Sequence, residues 1–195
     1  APLAHPEPAG QVAAELARAE LLAELNDGKQ LLLLKGGADS AVLREIGRLR
    51  ELTFRKVGEG VGARRDLDAF DPHYEHLVLW DGKAVRIAGS YRFGHGGKLL
   101  AERGMQGLYT SGLFDYSPAL ESRLAQGLEL GRSFIAPAYW CSRALDQLWQ
   151  GIGLYLQRHP GLRYLFGPVS MSVSLPREAR EWIATAHQHY FGAPG

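Results

Sequence analysis

The sequence predicts an α/β sandwich built on a mixed sheet, and three observations carry that prediction. Strand-sized apolar runs alternate with helix-period stretches along the chain. Asp81-Gly82-Lys83 between two apolar runs marks a β-hairpin. With 46% apolar and 22% charged residues in 195, the chain has the material for one sizeable core and is neither fibrous nor disordered.

Element by element, Gln11 to Leu25 carry Val12, Leu16, Ala19 and Leu21/Leu22 at helical spacing and stop at Asn26-Asp27-Gly28, which reads as a short amphipathic helix. Leu31 to Lys35 reads as a buried strand ended by Gly36-Gly37. Asp39 or Ser40 then caps a helix whose apolar side holds Val42, Leu43, Ile46, Leu49, Leu52 and Phe54, and which ends at Gly58-Glu59-Gly60. Val61 to His73 is too charged and aperiodic for a core element and reads as an ordered functional loop. His76 to Trp80 and Val85 to Phe93 form the hairpin. After a Gly-rich segment, Ser117-Pro118 opens a short helix to about Gln126, and Gly127 to Ile135 is a strand. Beyond the Pro137 break a long helix runs from Cys141 to Gln157, where Gly151 and Gly153 would allow close approach to a sheet. Tyr164 to Phe166 is the last strand, and Pro176 begins a final helix with Trp182, Ile183 and Tyr190. Residues 1–10 start Ala-Pro, lack Met and read as a linker or a cut inside a longer protein, leaving 11–195 as a single domain.

Composition narrows the function. Lys plus Arg (22) nearly cancels Asp plus Glu (21), so nothing attracts a phosphate backbone globally and nucleic acid is not an expected partner. Seventeen of the basic residues are Arg, the fork that holds carboxylates bidentately, although a high-GC genome produces the same skew. The single cysteine, Cys141, excludes an internal disulfide and a Cys-rich zinc site, fits a reducing, cytoplasmic setting, and reads as a core residue at a helix start. The longest pure apolar run, Leu31 to Leu34, is far short of the roughly 20 residues of a membrane span. His73 and His76 have no further convincing ligand, so no metal site is expected. Trp80 and Trp149 read as core.

Four clusters could carry chemistry: Leu49-Arg50-Glu51-Leu52-Thr53-Phe54, Asp68-Ala69-Phe70-Asp71, Tyr91-Arg92-Phe93 and Glu129-Leu130-Gly131-Arg132-Ser133-Phe134. Strand alternation puts Glu129, Gly131 and Ser133 on one face and Leu130, Arg132 and Phe134 on the other. An ionisable group in an internal strand must be paired or line a cleft. Glu129 is therefore either half of an ion pair with an Arg that staples the sheet or a base in a cleft.

The Arg-x-x-x-Phe of Arg50 and Phe54, the Asp-x-x-Asp of Asp68 and Asp71, the hairpin Arg92 and the Glu-Leu-x-Arg of Glu129 and Arg132 occur in the order seen in acyl-homoserine-lactone synthases, members of the GNAT N-acyltransferase superfamily. Leu-Arg-Glu-Leu-Thr-Phe-Arg, Asp66-Leu67-Asp68 and Leu165-Phe166-Gly167-Pro168-Val169-Ser170 make the chain, from about Val42 to Ser174, more similar still to the ornithine-lipid and N-acyl amino acid synthase branch. The resemblance implies a GNAT-like mixed, mainly antiparallel sheet flanked by helices. It implies a bacterial long-chain N-acyltransferase of lipid biosynthesis, with a lysophospholipid acyltransferase-like domain as a common fused neighbour and contact with the inner face of the membrane. One departure stands out. The superfamily's glycine-rich CoA loop is replaced by Ala136-Pro137-Ala138-Tyr139-Trp140, which lacks amides arranged to wrap a pyrophosphate and favours acyl carrier protein over acyl-CoA as donor.

The chemistry sets roles. An α-amino group has a pKa of roughly 8 in peptides and must lose a proton before attacking a thioester, so Glu129, directly or through water, is the expected base. Backbone N–H groups around Ser133, Phe134 and Ile135 would hold the oxyanion, as at the superfamily's splayed strand. Arg50 with Asp68 or Asp71 forms a clamp around the acceptor pocket together with Phe54, while Arg92 and Arg132 either hold the acceptor carboxylate or neutralise Glu129 and Asp71. Phe54, Leu108, Phe114, Leu148, Ile152 and Tyr155 could line an acyl tunnel, and Arg143, Arg158 and Arg163 could dock an acidic carrier protein. The expected activity moves a fatty acyl group from a carrier or CoA thioester to the amine of a small amino acid such as ornithine or glycine, with the thioester as cosubstrate and no tightly bound cofactor. An acyl-homoserine-lactone synthase and a non-catalytic acyl-binding module are the alternatives.

Overall fold

A computed structural model describes residues 1–172 and 174–192. One six-stranded sheet, in the order β1-β2-β3-β4-β5-β6, organises the chain: β1 (Glu20–Glu24), β2 (Lys29–Lys35), β3 (Glu75–Asp81), β4 (Arg86–His95), β5 (Gly127–Ile135) and β6 (Tyr164–Phe166). Every neighbouring pair is antiparallel except β5 with β6, which is parallel. The expected mixed, mainly antiparallel sheet flanked by helices is what forms.

Period-two alternation sorts the core onto two faces. Leu32, Leu34, Val78, Trp80, Ile87 and Phe134 meet α1 (Ala9–Leu16) and α2 (Ala41–Lys56), whereas Leu31, Leu33, Leu77, Leu79, Phe93 and Leu128 meet α5 (Ala144–Arg158). Ser40 caps α2 by accepting from the Leu43 N–H at 2.9 Å. At Gly151 an added Cβ would lie 2.7 Å from Leu77, so the expected close approach of α5 to the sheet holds there; at Gly153 nothing is near. Two short helices, α3 (Gly96–Arg103) and α4 (Glu121–Ala125), close the end of β4 and β5 over Tyr74, Leu99, Leu108 and Leu124.

Several sequence expectations need correction. The helix expected over Gln11 to Leu25 is two elements, because Leu25 N–H donates to Lys29 O and Gly28 takes φ +85°, making Asn26-Asp27-Gly28 the turn of a β1–β2 hairpin. The segment read as an unpacked linker is held down: Ala4 is buried, its N–H donates to Arg64 O, and Glu7 pairs with Arg44 and Arg65. The Gly-rich stretch after β4 holds the helix α3. Cys141 is exposed at φ +60° in the turn ahead of α5 and is not a core residue in that helix. Trp80 is core, but Trp149 is half exposed beside Tyr91. The last helix, α6 (Arg177–Phe191), buries none of its residues. Among the described residues, no helix is long and apolar enough to cross a membrane.

Candidate active site

The loop between α2 and β3 carries three carboxylates into the α2 face of the sheet, where three arginines meet them. Arg50 of α2 donates to Asp71 at 2.8 Å, Arg92 of β4 to Asp68 at 2.7 Å and to Asp71 at 3.2 Å, and Arg132 of β5 to Asp68 at 3.3 Å and Asp66 at 3.4 Å. Burial works to raise the Asp68 carboxyl, but the Arg92 guanidinium overrides it and holds the group below the usual carboxylate range. Burial raises Asp66 against the opposing charges of Arg50 and Arg132, of which Arg132 is in contact with it at 3.4 Å. Arg50 and Arg92 are almost completely buried, so the clamp expected around the acceptor exists as an internal network, and these two guanidinia face carboxylates of the chain itself. Arg132 differs: its side chain is 22% exposed, its hydrogen bonds are long, and it forms part of a cavity wall.

Glu129 is 2% exposed, and no arginine pairs with it. Its carboxylate accepts from the Tyr74 hydroxyl, from the Tyr109 N–H at 3.1 Å and from the Thr110 N–H at 2.7 Å. Burial, then the adjacent Glu129 charge, pushes the Tyr74 hydroxyl well above its ordinary range, so it remains a donor. Both Glu129 oxygens are thus engaged, and the residue lines none of the cavities at the site. What Glu129 does in this geometry is pin the turn at Tyr109–Thr110 against β5, which brings the Tyr109 ring over the Arg132 guanidinium at 5.3 Å. Sequence reasoning missed Tyr74, whose place just before β3 carries no pattern signal.

The alternation expected along β5 fails at a bulge. Ser90 opposes Phe134 and Arg92 opposes Gly131, so Tyr91 alone faces both Arg132 and Ser133, and Arg132 takes φ +51°. Arg132 and Phe134 consequently share the α2 face with Glu129 instead of opposing it. The other edge of β5 pairs with β6 only from Gly127 to Glu129. The ladder ends there, although Gly167 still packs over the Leu130 carbonyl so closely that a Cβ would sit 2.0 Å from its oxygen. Ala136 N–H donates inward to Ala88 O, while Ile135 O receives the Trp140 indole N–H on the outside. Strand geometry, which points the N–H and C=O of one residue to the same side, therefore turns the Ile135 N–H to the open edge.

Two cavities meet there. The larger, about 730 Å³, lies between Phe54, Glu59, Tyr109, Arg132, Ser133 and the Pro168–Met171 segment. The smaller, about 280 Å³, is bounded by Thr53, Phe54, Val57, Ile135, Trp140, Leu145 and Leu148. Phe54, Glu59 and Ser133 belong to both. Glu59 is exposed, and among the described residues its carboxylate is bonded only by the Ser170 hydroxyl at 3.3 Å. Of the expected tunnel, Phe54 and Leu148 line a cavity; Leu108, Ile152 and Tyr155 are plain core and Phe114 is exposed. The three expected docking arginines do not form one face. Arg143 precedes α5 near the smaller cavity, whereas Arg158 pairs with Glu20 about 22 Å away along the helix, near Arg163. His73 and His76 do not converge: His73 meets Arg103, and His76 donates to the Asp71 carbonyl, its pKa lowered to about 4 by burial.

Comparison with known proteins agrees with this architecture. The chain matches the acetyltransferase (GNAT) domain family over residues 49–150. It is 36% identical over 190 residues to a glycine N(alpha)-acyltransferase of Bacteroides thetaiotaomicron, covering 88% of this chain and 56% of that protein. It is 33% identical over 204 residues to a glycine N(alpha)-acyltransferase of Phocaeicola vulgatus, covering 93% and 63%. It is also 31% identical over 176 residues to an L-ornithine N(alpha)-acyltransferase of Brucella abortus, covering 75% and 61%. The chain thus spans less than two thirds of the length of these relatives. With its parallel strand pair, its bulge and its family match, the chain belongs to the acetyltransferase (GNAT) domain family.

Proposed function

We propose that the chain catalyses transfer of a fatty acyl group from a thioester to the α-amine of a small amino acid, glycine or ornithine being the favoured acceptors. The observation that carries this reading is the pair of adjoining cavities meeting at Ser133 on an unpaired strand edge. A thioester laid along that edge would receive the Ile135 N–H at its carbonyl oxygen, where charge develops as the amine attacks. The acceptor would enter the larger cavity with its carboxylate on Arg132, whose partial exposure and loose contacts leave it donors to give. Holding both reactants at one edge supplies the proximity that a direct, two-substrate transfer needs.

The attacking nitrogen sheds its proton as the new C–N bond forms, and the thiolate leaves with the C–S bond electrons. Glu59, the carboxylate shared by both cavities, is better disposed to take that proton, directly or through water, than the fully engaged Glu129. Phe54, Trp140, Leu145 and Leu148 would flank the apolar part of the donor. Acyl carrier protein is the favoured donor, because Ala136-Pro137-Ala138-Tyr139-Trp140 stands where a pyrophosphate-wrapping loop would be, and Arg143, two residues before the cavity-lining Leu145, offers a cation to an acidic partner. A lipid-bearing product fits contact with a membrane surface.

Incubating the purified chain with palmitoyl carrier protein, palmitoyl-CoA or acetyl-CoA, and with glycine or ornithine, tests this reading. N-palmitoyl amino acid detected by mass spectrometry, formed faster from either palmitoyl donor than from acetyl-CoA, is the expected result. Equal rates with acetyl-CoA overturn the long-chain assignment. Bound but untransferred acyl thioester would instead identify a non-catalytic acyl-binding module.

A further inference from the structure

A third cavity, about 420 Å³, lies on the α2 side of the sheet between the N-terminal segment, α2, the tip of the β3–β4 hairpin and the Ala136–Tyr139 turn. It shares no lining residue with the two cavities at the transfer edge. Its volume falls in the range of roughly 300–1,000 Å³ usual for small-molecule sites. Val12, Leu49, Leu52, Trp80, Ile87 and Pro137 make its floor apolar.

The charges at its wall do not cancel. Glu7 is already held by Arg44 and Arg65, and Glu45 by a two-pronged contact from Arg48. Lys56 and Arg86 also line the cavity, and among the described residues neither has a carboxylate within ion-pair distance. An apolar trough flanked by two uncompensated cations matches one ligand chemistry: an aliphatic chain ending in an anionic head. A neutral lipid would leave both cations unanswered, and a small anion would leave the trough to water.

We propose that this cavity binds a long-chain fatty carboxylate, its chain along Leu49, Leu52, Trp80 and Ile87 and its head group between Lys56 and Arg86. A free fatty acid and an N-acyl amino acid share this chemistry. The site is separate from the transfer edge, so its occupancy is measurable whether or not the chain transfers acyl groups.

The bromine of a brominated chain quenches nearby indole fluorescence, and Trp80 lies in the cavity wall. Titration with 12-bromododecanoate and with N-(12-bromododecanoyl)glycine is expected to quench saturably, and the tighter of the two identifies the head group. In a Trp140→Phe background, which removes the indole of the smaller cavity, Trp80→Phe should remove the saturable component, and the Lys56→Glu/Arg86→Glu double variant should weaken binding at least tenfold with an unchanged melting temperature. Because Lys56 and Arg86 lie at the wall, that variant should fold; if it does not, dodecanol titrated against the unaltered chain carries the same test and should bind at least tenfold more weakly than the carboxylate. Saturable quenching that persists in the Trp140→Phe/Trp80→Phe variant, equal binding of dodecanol, or no binding of either brominated probe overturns the proposal.

Discussion

Replacing Glu129 by Gln separates two roles for this residue. Its Oε2 receives the Tyr74 hydroxyl and the Tyr109 N–H, and its Oε1 receives the Thr110 N–H. An amide has one acceptor oxygen, so the orientation that keeps the Oε2 contacts points an NH2 group at the Thr110 N–H. A buried donor left without a partner costs about 1–3 kcal/mol. For a chain of this size each kcal/mol moves the melting temperature by roughly 2–4 °C, so a loss near 2 kcal/mol lowers it by about 4–8 °C. The loosened turn also carries Tyr109, which covers Arg132, so the acceptor KM should rise several-fold while the pH profile of kcat keeps its acid limb. Circular-dichroism melts and steady-state kinetics across pH make both measurements. An unchanged melting temperature with kcat down about a hundredfold or more and no acid limb would make Glu129 the base and refute the turn-pinning argument.

Other perturbations follow from the same geometry. Glu59→Gln should lower kcat by at least about tenfold without affecting melting, since Glu59 is exposed; unchanged kcat removes it as the proton acceptor. Arg132→Lys should raise the KM for glycine or ornithine more than it lowers kcat, and an unaltered KM would place the acceptor carboxylate elsewhere. Gly167→Ala drives a Cβ into the Leu130 carbonyl, so it should shift the Pro168–Met171 wall and lower kcat/KM by about tenfold or more; wild-type kinetics would show that this close approach does not shape the cavity. His76 is buried neutral with its pKa lowered to about 4 from 6.5, so the unfolded chain binds more protons between these values and stability falls as pH drops through that window, by up to about 3 kcal/mol. Denaturant titrations at pH 7 and pH 4.5 should show His76→Gln to be less acid-sensitive than the parent, and parallel losses would contradict the assignment.

How much of this was legible in the sequence depends on whether a local signal had one reading. The strand Gly127–Ile135 and the hairpin around Asp81-Gly82 were legible because alternation and turn chemistry agree. The strand Glu20–Glu24 was not, because Leu21, Leu22 and Leu25 satisfy a helical period as readily as a strand, and Asn26-Asp27-Gly28 suits both a helix stop and a hairpin turn. Helix α3 was hidden by Gly96-Gly97, poor helix formers whose lack of side chains serves packing: a Cβ on Gly96 would sit 1.9 Å from the Leu124 carbonyl oxygen.

At the site, the sequence marked charged residues that the fold brings together, but not which of them pair. Arg50 on a helix, Asp68 and Asp71 in a charged loop and Arg92 on a strand could be grouped through the family pattern they resemble, yet which carboxylate each arginine takes depends on register. The decisive feature is the bulge, which inserts one residue opposite Tyr91 and reverses the faces assigned to Arg132 and Ser133. Nothing in Glu129-Leu130-Gly131-Arg132-Ser133 announces that an arginine will adopt φ +51°, a conformation glycine would adopt more readily. That conformation has a consequence for chemistry. It turns Arg132 toward Asp66 and Asp68 at the rim of the larger cavity and leaves Ser133 on the open edge shared with the smaller one. A regular β5 would put a cation and a hydrogen-bonding edge on positions that cannot serve one substrate pair; the bulged strand puts them side by side.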